Sequence, residues 1–461
     1  MKFPKVLAGA LLLVLTVGFA SAETLSLTLD QAIELGLENS LAVRSRKNAL
    51  ESAQASLAGT KASIYPSLSA SAGWIHLFEQ PESPATPDLP VLDLTDSPIG
   101  YLPGFPGGSA APQDPVSVSV DLGQTIYTFG KVKGGLKLAQ EAVGSASLDL
   151  EEERRVTVVQ IKNAFYGYLL AREVQRINRE TLESKREAYE VARERYDAGV
   201  ISDFEVLNAE SDLESFKSTV ISSDNGVLMA VLGLKNVLGV DEGTELEPVG
   251  DLQPIEAKID REQLIGLALS QKYDLRSLQK GIEIMEIQRE LDLSLRRPTV
   301  SGWFNYTLSS GMDADGKNDY FTWDAWSHDW TAGVRVDIPI SGYFPWSKET
   351  ADLERAQVDI QGMRIGLKTA ASGIRLAVES AVLKIAEEQA KIDSGRKSVA
   401  LAERLYESAL DQYEGGYISS MDLKDTQLAL NGARLAYTQA IYSYNLNVLE
   451  LMDAVGVSEL Q

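Results

Sequence analysis

The sequence predicts a mostly α-helical protein with a smaller share of β-structure, folded as two copies of one unit. Three observations carry this expectation: two long proline-free stretches rich in helix formers, two segments in which apolar and polar residues alternate, and an internal repeat that relates one half to the other.

Prolines mark the organisation. Eight fall between Pro81 and Pro112, followed by Pro115; none then appears until Pro248, and none after Pro345. Each gap spans more than a hundred residues dominated by Ala, Leu, Glu, Lys, Arg and Gln. In the first, Ile161, Phe165, Tyr168, Val174 and Ile177 recur mostly at three- and four-residue steps among Arg172, Glu173, Arg176, Arg179 and Glu180. A narrow apolar stripe on a charged rod is the pattern of a coiled coil.

At a constant offset of 217 residues, Tyr196, Gly199, Ile201, Ser202, Leu213, Leu234, Gly239 and Val240 coincide with Tyr413, Gly416, Ile418, Ser419, Leu430, Leu451, Gly456 and Val457. Upstream the offset becomes 232: Leu35, Arg44 and Pro66 match Leu267, Arg276 and Pro298, and Val43 faces Leu275. The change falls in the intervening segments, where insertions are tolerated.

Those intervening segments read as strands. Val116, Val118, Val120 and Leu122 alternate with Ser117, Ser119 and Asp121, and Ala332, Val334, Val336, Ile338 and Ile340 alternate with Thr331, Gly333, Arg335 and Asp337. Ser67–Phe78 and Thr299–Leu308 supply a partner in each half, so each repeat holds one hairpin. Such strands fit an antiparallel sheet with one wet face. They fit a membrane barrel only if several chains pool strands, because four cannot close one. Between the hairpins' strands, Asp313-Ala314-Asp315-Gly316 with Asp319 faintly resembles a calcium loop. Its glycine comes two positions early and no closing glutamate follows.

After each second strand a helix of about 60 residues, roughly 90 Å long, runs to a turn, and a shorter helix returns. Gly199 and Gly416 suit the left-handed residue that ends the outgoing helix. Ser202-Asp203-Phe204-Glu205 reads as a capping box for the returning helix, and Ser419-Ser420-Met421-Asp422 as a close variant.

Composition narrows the function. A net charge of −23 with 43 Lys and Arg against 66 Asp and Glu disfavours a nucleic-acid backbone or an anionic membrane surface as the partner. With no cysteine and two histidines, disulfides, thiol nucleophiles and multi-histidine metal centres are excluded, and a dedicated soft-metal path is disfavoured. The acidic residues lie on repetitive helices without a convergent nucleophile or base, which points away from an enzyme. Gly123 to Lys131 is too long for a phosphate loop and is not followed by Ser or Thr. Residues 1–22 read as an export signal: Lys2 and Lys5, an apolar core from Val6 to Phe19, and Ala20-Ser21-Ala22 as the cleavage site. The mature chain then starts at Glu23 with a charge of about −25, and no later apolar run is long enough for a membrane helix.

The doubled pattern of strand hairpin, very long helix, Tyr-x-x-Gly-x-x-Ser turn and returning helix resembles the TolC family of outer-membrane efflux and secretion ducts. Leu29-Asp30-Gln31-Ala32-Ile33 with Asn39, Pro66 before the first strand, and Thr128-Phe129-Gly130-Lys131 at the second strand-to-helix junction add to the resemblance. It implies a homotrimer in which four strands per chain build one twelve-stranded β-barrel, continuous with a twelve-helix α-barrel tunnel. The repeats are then 23–240, with a hairpin at about 67–127 and a tip near 199–202, and 260–461, with a hairpin at about 299–340 and a tip near 416–419. Residues 241–259 form an equatorial linker, joined there by the N-terminal segment.

The resemblance further implies an outer-membrane duct spanning into the periplasm, partnered by a periplasmic membrane-fusion adaptor and an inner-membrane transporter, with outer-membrane lipid around its strands and no cofactor. Asp422 and Asp425 match the family's gate carboxylates, Glu205 matches a carboxylate that ties neighbouring coiled coils shut, and Tyr413 matches its aromatic partner. Ile418 stands where an arginine is expected, so a charge-assisted tip bond is expected to be missing and closure either to be weaker or to rest on Tyr417. Tyr196, Gly199, Ser202, Tyr413, Gly416, Tyr417 and Ser419 are the expected closure and docking residues. Capping alone also accounts for Asp422, and favourable charge at a helix N-terminus for both aspartates. The competing expectation is a periplasmic coiled-coil adaptor or structural protein, which needs only one helical hairpin.

Overall fold

A computed structural model describes residues 25–76, 89–92, 98–102, 116–241, 243–310 and 323–459. The export signal, the aspartates Asp313, Asp315 and Asp319, and most of the proline-rich segment lie outside the described residues. In chain order the elements are β1 (Leu25–Leu27), α1 (Leu29–Asn39), α2 (Leu41–Ala62), β2 (Ser67–Trp74), β3 (Leu89–Leu92), β4 (Pro98–Leu102), β5 (Val116–Tyr127) and α3 (Lys131–Asp197). There follow α4 (Asp203–Leu238), β6 (Leu246–Pro248), α5 (Arg261–Gln271), α6 (Tyr273–Leu295), β7 (Thr299–Ser310), β8 (Ser327–Asp337), α7 (Lys348–Glu414) and α8 (Ser420–Val455). Both α3 and α7 are 67 residues long, and both α4 and α8 are 36. No helix among the described residues is long and apolar enough to cross a membrane.

The chain divides into two compact units. The first comprises residues up to Leu50, Ser145–Gln279 and Ile365 onward. Its helices begin and end where local chemistry satisfies their terminal amides and carbonyls. Thr28 and Gln31 close a capping box on α1, which explains the Leu29–Ile33 motif. Asp260 accepts from the amides of Glu262 and Gln263 to start α5, and Gly239 and Gly456 end α4 and α8 in the left-handed conformation.

The apolar stripe of α3 is core. Ile161, Phe165, Tyr168 and Ile177 are buried, and Val174 is half-buried. Ile161 and Phe165 pack with Leu27, Ala32, Leu234 and Leu238, each large side chain contributing about 2 kcal/mol by leaving water. A second cluster joins Val378, Ile385 and Ile392 of α7 to Val448, Leu451 and Val455 of α8, with Leu264 and Leu275. Strands β1 and β6 pair in parallel, Leu25 opposite Leu246. The segment after β6 has no regular structure; Arg172 bonds the Gly250 carbonyl, Leu252 and Ile255 pack on the core, and one fully buried side chain bonds its backbone twice. Asn445 accepts from the Ile255 amide at 2.9 Å and donates to the Gln253 carbonyl at 2.9 Å.

The second unit, Glu51–Gly144 with Lys280–Arg364, carries the sheet. Its order is β2-β5-β7-β8, antiparallel throughout, so the two hairpins join through their inner strands and leave β2 and β8 as edges. The short β3 and β4 pair with each other. Because side chains alternate, the register sorts the two faces. Trp74 opposes Val116, Leu68 opposes Leu122, Leu122 opposes Phe304, and Phe304 opposes Ala332. Val300 opposes Val336 and Tyr306 opposes Trp330 on that same apolar face, most of which is exposed.

The other face is polar. Ser71 bonds Ser119 at 2.8 Å, the Asn305 amide donates to Asp121 at 2.6 Å, and the Thr307 hydroxyl donates to Asn305 at 2.9 Å. Strand β8 runs three or four residues earlier than its alternation predicts. It stops at Asp337 because Pro339 has no amide hydrogen for the ladder and Ile340 opens a 3-10 turn. At the strand-to-helix junction Phe129 and Gly130 take φ values of 49° and 104°, and the Arg297 guanidinium donates to the Phe129 carbonyl at 3.0 Å.

Candidate functional site

The site lies at the helical turns of the first unit. Both long helices end in the same way. Gly199 and Gly416 have φ of 75°, where a Cβ would be strained. The amides of Gly199 and Val200 donate to the carbonyls of Tyr196 and Arg195, each at 2.8 Å, and those of Gly416 and Tyr417 donate to Tyr413 and Gln412 at 3.0 and 2.8 Å. This is the doubled bond pattern of a Schellman turn.

The helix starts differ, and they reverse the expectation from sequence. At α8 the capping box is complete: Ser419 Oγ accepts from the Asp422 amide at 3.2 Å, and Asp422 Oδ2 accepts from Ser419 N at 3.1 Å and Oγ at 2.7 Å. The Ser419 hydroxyl, then its amide, holds the Asp422 carboxyl below the usual carboxylate range. At α4, Ser202 has an extended backbone but no side-chain capping bond. The longer Glu205 side chain, half-buried, is not folded back onto Ser202. It lines a groove with Tyr413 and contributes negative charge there.

The duplicated tyrosines also part company. Tyr413 is 3% exposed and Tyr196 43%. Tyr413 packs in the cluster of Ala409 and Leu423, and Arg195 adds to its cover: the guanidinium lies 5.2 Å from the centre of the Tyr413 ring and donates to the Tyr413 carbonyl at 2.8 Å. Burial pushes the Tyr413 phenol up; Arg195 pulls it down and Glu205 pushes it up again. Gln412 occupies the position 217 residues beyond Arg195.

A charge-assisted bond at the tip comes from a position other than 418: Arg195, at the end of α3, donates to the Tyr413 carbonyl. Ile418 packs into the apolar cluster of Ala409, Tyr413 and Leu423, while Tyr417 is 83% exposed. Arg195→Gln is expected to expose the Tyr413 ring and speed proteolytic nicking at residues 412–418. Unchanged cleavage kinetics would count against the clamp.

Sequence reasoning missed a second contact set. The groove, about 590 Å³, is lined by Lys185, Ser202, Glu205, Asp212, Tyr413 and Lys424 among others. Asp212 of α4 lies between Lys424 of α8, at 2.5 Å, and Lys185 of α3, at 3.6 Å. The Lys185 side chain is 8% exposed, and its ammonium lies 5.5 Å from the centre of the Phe216 ring. A signal was present: Lys185 sits two turns beyond Ile177 on the buried stripe, where a lysine needs a counter-charge. Asp425 is exposed and makes no hydrogen bond or ion pair among the described residues, one turn beyond Asp422 on the same side of α8.

Residues 32–240 and 264–457 match the family of outer membrane efflux proteins. The chain is 22% identical to the outer membrane protein TolC of Escherichia coli K12 over 397 residues, which is 82% of this chain and 77% of that protein. It is 21% identical to the probable outer membrane lipoprotein SilC of Salmonella typhimurium over 434 residues, 91% of this chain and 84% of SilC. The solved CmeC outer membrane channel of Campylobacter jejuni superposes with a TM-score of 0.71 at 17% identity, covering 93% of this chain and 85% of that one. At that identity the likeness shows the fold. With both halves of the sequence matched, the chain belongs to the outer membrane efflux protein family, and its place is the outer membrane.

Proposed function

We propose that the protein is the passive outer-membrane duct of a tripartite efflux or secretion assembly, a homotrimer without enzymatic activity. The observation that carries this reading is the four-stranded sheet. It has two open edges, one exposed apolar face and one polar face, and four strands cannot close a barrel. Three copies pooling strands give twelve, with the apolar face to lipid and the Ser71–Asp121–Asn305 face to the lumen. Aromatic side chains stand at both ends of the apolar band, Trp74, Tyr306 and Trp330 at one and Tyr127, Phe344 and Trp346 at the other, as membrane interfaces favour.

In this reading residues 23–240 and 260–461 are two structural repeats joined by the linker 241–259, and α3, α4, α7 and α8 of three chains make the twelve-helix tunnel. The periplasmic adaptor docks in the grooves near Gly199, Ser202, Gly416 and Ser419, and its binding parts the tips. Energy comes from the inner-membrane transporter. The unpaired Asp425 carboxylates form the gate ring, Asp422 caps α8 beside them, and Glu205 joins Tyr413 in closing the tip.

Closure by pooled strands is testable without background, because the chain has no cysteine. Cysteines placed at Ser69 or Ser71 on β2 and at Asp329 or Thr331 on β8 are expected to give covalent dimers and trimers upon mild oxidation of outer-membrane fractions. A chain that stays monomeric for every pair would contradict the seam.

A further inference from the structure

The two histidines of the chain, His76 and His328, both belong to the outer ends of the edge strands. His76 follows β2 and stacks on Trp74, ring centres 6.3 Å apart. His328 opens β8, bonds the Tyr306 hydroxyl through Nδ1 at 3.1 Å and lies 5.3 Å from the Trp323 ring. In register His328 opposes Leu308, which places it on the apolar face. Apart from the Tyr306 and Tyr127 phenols, it is the one acidic or basic side chain on that face among the described strand residues. Among the described residues the partners of His328 are the Tyr306 hydroxyl and the Trp323 ring, neither of which carries a charge. The net charge of −23 makes the rest of the surface a poor attractor of anions.

We propose that these imidazole–aromatic pairs form a binding surface for a phosphate-bearing lipid headgroup of the outer leaflet. The inference rests on the membrane-spanning trimer proposed above. In the tautomer whose Nδ1 accepts from the Tyr306 hydroxyl, the ring proton of neutral His328 sits on Nε2 and can be donated to a phosphate oxygen; the imidazolium carries a proton on Nε2 in any case and donates more strongly. Trp74 and Trp323 supply rings of the kind that settle at headgroup depth. Because β2 and β8 are the two edges, closure sets β8 of one protomer beside β2 of the next. His328 of one copy and His76 of its neighbour then flank the same seam, giving one headgroup surface per seam. The lipid would thus bridge protomers at the rim of the barrel.

The test is native mass spectrometry of the detergent-solubilised full trimer, titrated with dioleoyl phosphatidic acid or with dioleoylglycerol, which has the same chains and no phosphate. The wild type is expected to bind the phosphatidic acid roughly fivefold more tightly or better, as charge-assisted hydrogen bonds to phosphate provide. The His76→Gln, His328→Gln double variant is expected to lose most of that preference while remaining trimeric. Equal affinity of the wild type for the two lipids overturns the proposal whether or not the variant assembles, and so does an unchanged preference in the variant. Displacement of the lipid by millimolar inorganic phosphate would assign the surface to a free anion instead and also overturn it. The same preparation is placed in a planar bilayer. Pores without lipid preference refute the headgroup surface alone, whereas a protein that forms neither trimers nor pores refutes the duct.

Discussion

Asn445→Leu is expected to destabilise the helical unit by about 2 kcal/mol, the cost of taking the side-chain partner from two partly buried backbone groups. Leucine matches the volume but neither accepts from the Ile255 amide nor donates to the Gln253 carbonyl, and the Asn445 side chain itself is 0% exposed. The segment between β6 and α5 has no ladder of its own, and this amide serves as its nearest equivalent of a strand partner. Tyr444 adds a longer bond, 3.3 Å, from its hydroxyl to the Ile255 carbonyl, too little to hold the segment alone. The expected readout is a lowered thermal midpoint of the detergent-solubilised protein with new protease cleavage at residues 250–258. An unchanged melt and cleavage pattern would show that the segment is held elsewhere.

Asp212→Leu is the second large effect. It removes the shared counter-charge of Lys185 and Lys424 and leaves the Lys185 ammonium nearly buried beside Phe216. Breaking a buried pair on one side costs about 3–5 kcal/mol; since Asp212 keeps 28% of its side chain exposed, about 2 kcal/mol is expected here. Lys185→Met in the same background removes the stranded charge and is expected to restore most of the loss. Thermal melts of the single and double variants check this directly. A single variant as stable as wild type, or a double variant less stable than the single, contradicts the assigned role.

Much of this architecture is legible in one sequence because it is written locally. Proline-free stretches, alternating strands and a glycine that needs a positive φ are each decided by neighbours within a few residues, and the 217-residue offset doubles every signal. What escaped is non-local. Arg195 meets Tyr413 across 218 positions, and Lys424 meets Asp212 across 212. No spacing rule connects side chains on different helices. The same limit explains the reversed capping boxes. The pattern Ser-x-x-Glu at Ser202 is correct as a local preference, but Glu205 lines the groove with Tyr413, whereas the shorter Asp422 stays within reach of Ser419. Positions related by the 217-residue offset diverge for a related reason: Tyr196 and Tyr413 precede the same kind of turn, but among the described residues Tyr413 alone of the two has an arginine over its ring. The end of β8 was locally decipherable, since Pro339 forbids the last rung that the alternation implied.

The site geometry also separates two aspartates that sequence alone leaves alike. Asp422 is engaged in capping α8, so its replacement would perturb the helix start and conductance together. Asp425 is unpaired, so its charge can be removed without breaking a contact within the protomer.

The most direct test of the central claim is therefore single-channel conductance of the purified protein in planar bilayers, wild type against Asp425→Asn, across a series of divalent-cation concentrations. A duct closed at its tips and lined there by a carboxylate ring predicts small wild-type openings that divalent cations block. The variant should form pores of at least the same conductance in which that block is much weakened. A correctly assembled trimer that forms no pores, or pores whose divalent block is identical in the two proteins, would contradict it.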